Sequence, residues 1–317
     1  MERRRLGRTG LEVSRLGLGT MQWGRGVDAA TAGEQLTAFL DAGGSLVDTA
    51  ALYGDGRAEG LLGELVDKLG CRDDLELVSK SGLRRRGEDV VRDTSRGHLL
   101  TQLDRTLAAL GTDHLDLWLV HVWDDATPAE ETFAALEHAV ETGRARYVGV
   151  SNFSAWQTSW AAGWLAARPA GVHLAATQVE YSLLRRTVET DLVPAAAAHG
   201  LGLLAWSPLG RGVLTGKYRG GVPGDSRAAH PEWESFVGAY LTPARSRIVE
   251  AVARAAEGLD VSPTHVALAW LRDRPQVGTA LLGARTTDQL EHALASEHVE
   301  LPVEIVQALD DVSEGAR

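Results

Sequence analysis

Four side chains in the first part of the chain could together protonate a reacting oxygen. Asp48 lies in SLVDTA, Tyr53 follows five positions later in ALYGDGRAE, Lys80 closes LELVSK and His121 closes LDLWLVH. Three of them come at the ends of short apolar runs that are typical of buried strands, and the tyrosine comes one short loop later. Because the carboxyl ends of successive parallel strands lie at one edge, where a (β/α)8 barrel carries its reacting groups, we expect these four groups to lie close together.

The residue types fit the reduction of a carbonyl group. Hydride addition builds negative charge on the carbonyl oxygen, which then needs a proton. The Tyr53 hydroxyl is a suitable donor, but its ordinary pKa is ~10, and a nearby ammonium such as Lys80 lowers the pKa of a phenol. Asp48 would hold Lys80 in place, and His121 would hydrogen-bond the carbonyl oxygen and orient the substrate. Each residue alone also has an ordinary structural explanation, so the prediction rests on their shared position.

The rest of the chain predicts the elements that would hold these groups at one edge. Short apolar runs alternate with helical segments such as TSRGHLLTQLDRTLAALG, where leucines recur at helical spacing and Gly111 ends the helix. The predicted strands cover residues 14–19, 45–49, 75–80, 115–121, 145–151, 174–180, 201–207 and 277–283. This alternation indicates an α/β fold with a parallel sheet, and eight strands indicate closure into a (β/α)8 TIM barrel.

Two segments depart from the alternation. Residues 1–14 contain a Thr9-Gly10 turn between short β runs, which predicts an N-terminal β-hairpin at the bottom of the barrel. Residues 208–243 are rich in glycine, proline and basic residues, which predicts a long loop after strand 7 of the barrel. Because no linker divides the chain, we expect residues 1–317 to form a single domain that ends in a surface helix from Pro302 onward.

Composition narrows the class of protein. The net charge of −11 argues against a nucleic-acid partner. Cys71 is the only cysteine, which excludes an intrachain disulfide and a multi-thiolate metal site. The basic N-terminus has no apolar segment behind it, and no run reaches the ~18 apolar residues of a membrane span. These features predict a cytoplasmic enzyme with no membrane association.

The chain resembles the aldo-keto reductases over essentially its whole length. The matching stretches are LGRTGLEVSRLGLGTMQWG, LVDTAALYGDGRAE, LGTDHLDLWLVHVWD, RYVGVSNF, QVEYSLL, WSPLGRGVLTGKY and LLGARTTDQL. The branch that it resembles contains bacterial aryl-alcohol-dehydrogenase-like and keto-sugar-reductase-like enzymes. The resemblance implies that Tyr53 is the proton donor, supported by Asp48, Lys80 and His121. It also implies NADPH as the cofactor, with NADH possible, bound without a Rossmann domain.

Two segments are predicted to bind the phosphates of that cofactor. TIM barrels often bind phosphate with the loops after strands seven and eight, which here are Ser207 to Lys217 and Gly283 to Gln289, and no G-x-G-x-x-G follows a strand. By resemblance, the nicotinamide carboxamide would be bound by Ser151, Asn152 and Gln178, and Trp206 would stack on the ring. The pyrophosphate would be lined by Ser207, Leu209, Gly210 and Arg211. In the cofactor-binding segment that begins at Gly283, Arg285 and Gln289 would approach the 2′-phosphate. An arginine suits a phosphate dianion, which predicts a preference for NADPH. His292 and Ala293 depart from the Glu-Asn pair with which many relatives bind adenine.

The substrate is predicted only by class. Trp23 and Trp123, in loops after the first and fourth strands, would give the pocket an aromatic wall that suits an aromatic aldehyde or a keto-sugar. Two other functions stay open: a cofactor-binding sensory subunit of a larger assembly, and a barrel lyase that forms a Schiff base on Lys80. No metal-binding motif occurs among the ten histidines, and nothing in the sequence indicates the oligomeric state.

Overall fold

Eight parallel strands close into a barrel, as predicted. The computed structural model describes residues 1–224 and 226–316, and in this part of the chain we number the strands β1 to β12. They are β1 (Arg3–Arg5), β2 (Glu12–Ser14), β3 (Leu16–Gly19), β4 (Leu46–Asp48), β5 (Glu76–Ser81), β6 (Leu83–Arg86), β7 (Asp89–Arg92), β8 (Leu115–Val120), β9 (Ala145–Ser151), β10 (Leu174–Glu180), β11 (Gly202–Trp206) and β12 (Val277–Leu282). The barrel order is β3-β4-β5-β8-β9-β10-β11-β12, closed by pairing of β12 with β3. The fold is therefore a (β/α)8 TIM barrel.

Helices surround the barrel and cover the outer faces of the strands. They are α1 (Ala29–Asp41), α2 (Arg57–Leu69), α3 (Arg96–Leu110), α4 (Ala129–Glu141), α5 (Ala155–Ala166), α6 (Leu192–His199), α7 (Pro231–Gly238), α8 (Pro243–Leu259), α9 (Pro263–Arg272), α10 (Thr287–Leu294) and α11 (Val303–Val312). In α3, the leucines at helical spacing are buried, and Gly111 ends the helix in the left-handed conformation, as predicted. No helix in the described residues is long and apolar enough to cross a membrane.

The N-terminal hairpin closes the bottom of the barrel. Strands β1 and β2 pair in antiparallel register, and Leu6 and Val13 belong to the apolar cluster inside the barrel. A Cβ atom at Gly202 or at Gly278 would lie 2.4 Å from Leu6 Cδ1. At Gly202 the added atom would also meet the Gly7 backbone nitrogen at 2.8 Å, which favours glycine there, whereas at Gly278 the Leu6 side chain alone would have to move. The predicted role of the hairpin is confirmed.

Two loops contain more structure than the sequence predicts. The loop after β5 forms a second hairpin, in which β6 pairs with β7 around Gly87. The segment at 208–243 is not a plain loop, because it contains 3-10 turns at Gly210–Thr215 and Arg227–Ala229 and the helix α7. Pro231 lies in the first turn of α7, where a missing N–H costs little. Both insertions follow the carboxyl ends of barrel strands and therefore lie at the edge that carries the candidate site.

Candidate active site

A buried ion pair lies at the carboxyl ends of β4 and β5. Lys80 Nζ donates hydrogen bonds to Asp48 Oδ2 and to the Thr49 carbonyl oxygen, both at 2.7 Å. The side chains of Lys80 and Asp48 are 1% and 4% exposed. Gln178, on β10 across the barrel, donates from Nε2 to Asp48 Oδ1 at 2.6 Å. Both oxygens of Asp48 are thus hydrogen-bonded, which fixes the carboxylate and the ammonium that it holds.

Tyr53 lies directly beside this ammonium. Lys80 Nζ is 4.9 Å from the centroid of the Tyr53 ring, and the His121 ring meets the Tyr53 ring edge-on at 6.1 Å. Burial raises the pKa of the Tyr53 hydroxyl, Lys80 lowers it and Asp48 raises it, and the balance is a raised pKa. The prediction from the sequence was a lowered pKa for Tyr53, because its proximity to Lys80 was expected whereas the larger effect of burial was not. The phenol is therefore fully protonated near neutrality, in the state that a proton donor requires.

His121 is neutral in this environment. Burial and then the positive charge of Lys80 lower the pKa of the imidazole to about 3. A neutral imidazole can donate one hydrogen bond to a carbonyl oxygen, although it cannot act as a cationic acid at physiological pH. The His121 backbone N–H donates to the Ser81 carbonyl at 2.8 Å, which ties the end of β8 to β5. The four predicted residues are therefore in one place, with the phenol and the imidazole facing the same space.

The charge state of Lys80 argues against a Schiff base. Burial alone would lower the pKa of this ammonium, but Asp48 and Tyr53 raise it more strongly, so the pKa is raised. A lysine nucleophile needs its neutral amine. Because the pair holds Lys80 as an ammonium, the geometry supports an electrostatic role and not a covalent one.

A second buried carboxylate lies behind the ion pair. Glu59 Oε1 accepts hydrogen bonds from Ser79 Oγ at 2.6 Å and Thr106 Oγ1 at 2.9 Å. Burial raises the pKa of Glu59, while the two hydroxyls and the charge of Lys80 lower it. Glu59 was not among the predicted site residues, although a glutamate in the first turn of α2, on the buried face of that helix, is a recognisable signal.

The predicted carboxamide-binding residues form a connected set at the ends of β9, β10 and β11. Asn152 Nδ2 donates to the His121 carbonyl at 3.1 Å and to Ser151 Oγ at 3.0 Å, and Trp206 Nε1 donates to Asn152 Oδ1 at 3.1 Å. The Asn152 backbone is left-handed, with φ of 57°. Amide and hydroxyl groups of this kind suit a carboxamide, and the Trp206 indole is positioned beside them. Gln178, whose Nε2 donates a hydrogen bond to Asp48, connects this set to the Asp48–Lys80 ion pair.

The second segment that was predicted to bind phosphate leads into the start of α10. Thr286 caps the helix by accepting from the Gln289 N–H, and the Arg285 N–H donates to Gln289 Oε1 at 3.0 Å. The Gln289 side chain is therefore used in capping. His292 stacks on His265, with ring centroids 4.5 Å apart, and the His265 ring hydrogen-bonds the His292 carbonyl. A helix start preceded by an arginine suits a phosphate group.

Arg211 lies on the loop after β11 that was predicted to bind phosphate, but its side chain is held by other residues of the protein. Its guanidinium forms two hydrogen bonds of 2.7 Å with the Glu180 carboxylate and donates to the Phe236 carbonyl. It also lies over the rings of Phe236 and Tyr240, and burial raises the pKa of Tyr240 to about 12. In this structure the side chain fastens the segment that contains α7 to the end of β10. The structure therefore does not support the predicted pyrophosphate contact of the Arg211 side chain, and the prediction for Ser207, Leu209 and Gly210 stays a prediction.

The two predicted pocket tryptophans differ in accessibility. Trp23 is 1% exposed, and its Nε1 donates to Gln35 Oε1 at 2.8 Å. The structure does not support the prediction that Trp23 lines the substrate pocket, because the indole turns inward and packs against α1. Trp123 is partly exposed at the edge, where Nε1 donates to Asp125 Oδ1 at 2.7 Å.

The second hairpin, β6-β7, contacts the loops that carry Tyr53 and Trp123. Arg85 pairs with Asp55, two residues after Tyr53, and Arg92 donates to the Trp123 carbonyl at 3.3 Å. Arg25, in the loop after β3, lies over the Trp233 ring of α7. Within residues 1–224 and 226–316, no cluster of histidine, cysteine, aspartate and glutamate could hold a metal ion.

Comparison with known proteins agrees with this geometry. The profile of the Aldo/keto reductase family matches residues 15–314. The chain belongs to this family. It is 33% identical over 324 residues to the uncharacterized oxidoreductase YrpG of Bacillus subtilis, covering 99% of this chain and 97% of that protein. It is an NAD(P)H-dependent oxidoreductase of the class that reduces small carbonyl compounds.

Two further relatives differ in the function that their names state. The chain is 34% identical over 300 residues to the L-glyceraldehyde 3-phosphate reductase of Escherichia coli, covering 92% of this chain and 86% of that protein. It is 36% identical over 295 residues to a probable voltage-gated potassium channel subunit beta of Oryza sativa subsp. japonica, covering 92% of this chain and 89% of that protein. The family therefore includes proteins named as reductases and proteins named as channel subunits.

Proposed function

We propose that the protein uses NADPH to reduce an aldehyde or ketone to the alcohol, with Tyr53 as the proton donor. The observation that carries the proposal is the buried Lys80 ammonium, held by Asp48 and lying beside the Tyr53 phenol. An isolated buried ion pair is costly, so a fold that keeps one at the carboxyl end of its barrel strands is best explained by the chemistry performed there.

Each residue of the site has a defined part in the reaction. The neutral His121 imidazole donates a hydrogen bond to the carbonyl oxygen and orients it toward the phenol. As negative charge develops on that oxygen, the Tyr53 hydroxyl transfers its proton. The Lys80 ammonium stabilises the resulting phenolate, which it can do because Asp48 and Tyr53 keep it charged. Such preorganised charge is effective because it needs no rearrangement during the reaction.

The residues around the site fit a nicotinamide dinucleotide. Ser151, Asn152 and Gln178 would hold the carboxamide, and Trp206 would lie against the ring. The backbone of Ser207–Arg211 and the start of α10, with Gly283, Arg285 and Gln289, would hold the phosphates. When bound, this cofactor supplies the hydride.

The preference for NADPH is proposed from Arg285. A guanidinium that contacts a 2′-phosphate makes charge-assisted hydrogen bonds that NADH cannot offer. With 4-nitrobenzaldehyde as substrate and absorbance at 340 nm as the readout, we expect Arg285→Ala to raise the KM for NADPH roughly 10- to 100-fold, with little change for NADH. Arg3→Ala, at the opposite end of the barrel, is the matched control. A wild type that prefers NADH, or equal effects of Arg285→Ala on both cofactors, would refute the assignment.

The substrate class is proposed from the mouth of the site. Trp123 gives it an aromatic edge, which suits an aromatic aldehyde or a keto-sugar, each with a flat apolar face. The reductase relative named for L-glyceraldehyde 3-phosphate is a precedent for a hydroxylated substrate.

A second candidate is a cofactor-binding sensory subunit. The observation that favours it is the 36% identity to the probable channel subunit beta. That function predicts a tightly held cofactor that survives gel filtration and at most a single turnover. Carbonyl reduction instead predicts many turnovers with free exchange of the cofactor. We expect this result because Tyr53, Asp48, Lys80 and His121, the four residues proposed to carry the reduction, lie close together.

A further inference from the structure

A cluster of tryptophans extends from the active-site mouth onto the outer surface. We define the tryptophan ledge as Trp123, Trp156 and Trp160. The rings of Trp156 and Trp160 are stacked, with centroids 6.1 Å apart, and Trp123 meets Trp156 edge-on at 5.3 Å. The cluster rests on the buried Phe133 and Phe153. The ledge is therefore held rigidly from below.

The upper side of the ledge is open to solvent. Trp156 is 59% exposed and Trp160 is 39% exposed, and they are spaced four residues apart on α5. Large aromatic side chains are costly to leave in water, and a contiguous exposed aromatic patch commonly marks a binding surface. The exposed faces of these two indoles therefore offer a surface on which a flat ligand can pack.

The ledge is continuous with the active site. Trp123 comes two residues after His121, and Asn152, whose amide donates to the His121 carbonyl, comes three residues before the start of α5. Trp156 lies in the first turn of that helix, at the same edge of the barrel as Tyr53. A substrate whose carbonyl lies at Tyr53 would have its outer part at the edge of the barrel to which Trp123 and Trp156 belong.

The neighbours of the ledge indicate the chemistry of that ring. The exposed carboxylate of Asp125 accepts from Trp123 Nε1, and the exposed guanidinium of Arg92 donates to the Trp123 carbonyl. A pyranose presents a flat face of C–H groups and a rim of hydroxyls, so it can cover an indole while its hydroxyls meet a carboxylate and a guanidinium. A purely apolar ring would make no hydrogen bonds with these two groups, whereas the hydroxyls of a pyranose can use their remaining donors and acceptors.

We propose that the tryptophan ledge is an accessory subsite that binds a pyranose ring attached to the carbonyl-bearing part of the substrate. The preferred substrates are then glycosides or keto-glycosides larger than a single ring. This inference rests on the proposed function, because it assigns the part of the substrate that lies outside the reacting centre. Binding at the ledge is nevertheless measurable without turnover.

The test compares two aldehydes that differ in the sugar. The probes are 4-formylphenyl β-D-glucopyranoside and 4-methoxybenzaldehyde, both reduced with NADPH and followed at 340 nm. We expect Trp156→Ala to lower kcat/KM for the glucoside roughly 2- to 12-fold by raising its KM, and to change kcat/KM for 4-methoxybenzaldehyde little. Trp156→Phe keeps a ring and retains most of the preference. Trp164→Ala, on the same helix but outside the ledge and against Phe133, is the matched control.

Other outcomes overturn the inference in distinguishable ways. An equal loss with both aldehydes, or no loss, would show that Trp156 has no contact with the sugar. A Trp156 dependence with 4-(benzyloxy)benzaldehyde but not with the glucoside would identify an aromatic subsite instead. A change of oligomeric state in Trp156→Ala would identify an interface between copies of the chain. If the wild type reduces neither aldehyde, the proposed function fails. Calorimetry with the glucoside then still tests the subsite: weaker binding to Trp156→Ala than to the wild type supports it, and unchanged binding refutes it.

Discussion

Tyr53→Phe is expected to lower kcat for carbonyl reduction by ~10²–10⁴-fold, the usual contribution of a positioned general acid. The substitution removes the hydroxyl that donates the proton and keeps the ring beneath Lys80 Nζ. Without that hydroxyl, the developing oxyanion can take a proton only from water. The measurement is the steady-state oxidation of NADPH with 4-nitrobenzaldehyde, in wild type and variant.

The same variant also provides its own control. NADPH binding, followed by quenching of intrinsic fluorescence, should change by less than about threefold, because the residues predicted to hold the cofactor lie on other strands. The midpoint of thermal unfolding should stay close to that of the wild type. Undiminished turnover in Tyr53→Phe would show that another group supplies the proton.

Lys80→Met is expected to reduce both activity and stability. It leaves the Asp48 carboxylate buried without its cation, and removing one partner of a buried ion pair typically lowers the free energy of unfolding by ~3–5 kcal/mol. Turnover should also fall at least as far as in Tyr53→Phe, because the phenolate loses the charge that stabilises it. Chemical unfolding gives the stability, and the absorbance assay gives the activity.

The double variant Asp48→Asn/Lys80→Met separates the two effects. It removes both charges, so we expect it to recover a large part of the stability lost in Lys80→Met. Turnover should nevertheless stay as low as in the single variant, because the ammonium is still missing. Recovery of activity along with stability would mean that the pair serves folding alone.

The sequence predicted the barrel and the reacting groups because both depend on local patterns. Buried parallel strands are recognisable as near-continuous apolar runs, and all eight runs are barrel strands within about two residues at their ends. Asp48 and Lys80 lie at the ends of neighbouring strands, so their position at one edge of the barrel was predictable from the sequence alone. Their direct contact then follows from the pairing of β4 with β5.

Contacts between distant residues were less predictable. Gln178 is 130 positions from Asp48, and their hydrogen bond exists only because the barrel closes. Trp23 was assigned to the pocket from its place in a loop, whereas its rotation toward Gln35 depends on the packing of α1. The side chain of Arg211 was expected to face phosphate, but Glu180, 31 residues earlier, competes for it.

The two insertions were difficult for a different reason. The β6-β7 hairpin consists mainly of charged residues, so it lacks the apolar run by which the other strands were found. Helix α7 is only eight residues long and follows a glycine-rich stretch that indicated a loop. Its position depends on tertiary contacts such as Arg211 with Phe236, which no local pattern reveals.

The decisive measurement is the transfer of deuterium from labelled cofactor to product. Purified protein is mixed with 4-nitrobenzaldehyde and NADPH that carries deuterium on one or the other face of the nicotinamide C4, and the alcohol is analysed by mass spectrometry. We expect one deuterium in the alcohol from one of the two labelled cofactors, and a strongly reduced yield with Tyr53→Phe. Alcohol without deuterium from either cofactor, or no alcohol despite bound NADPH, would contradict reduction by hydride transfer at this site.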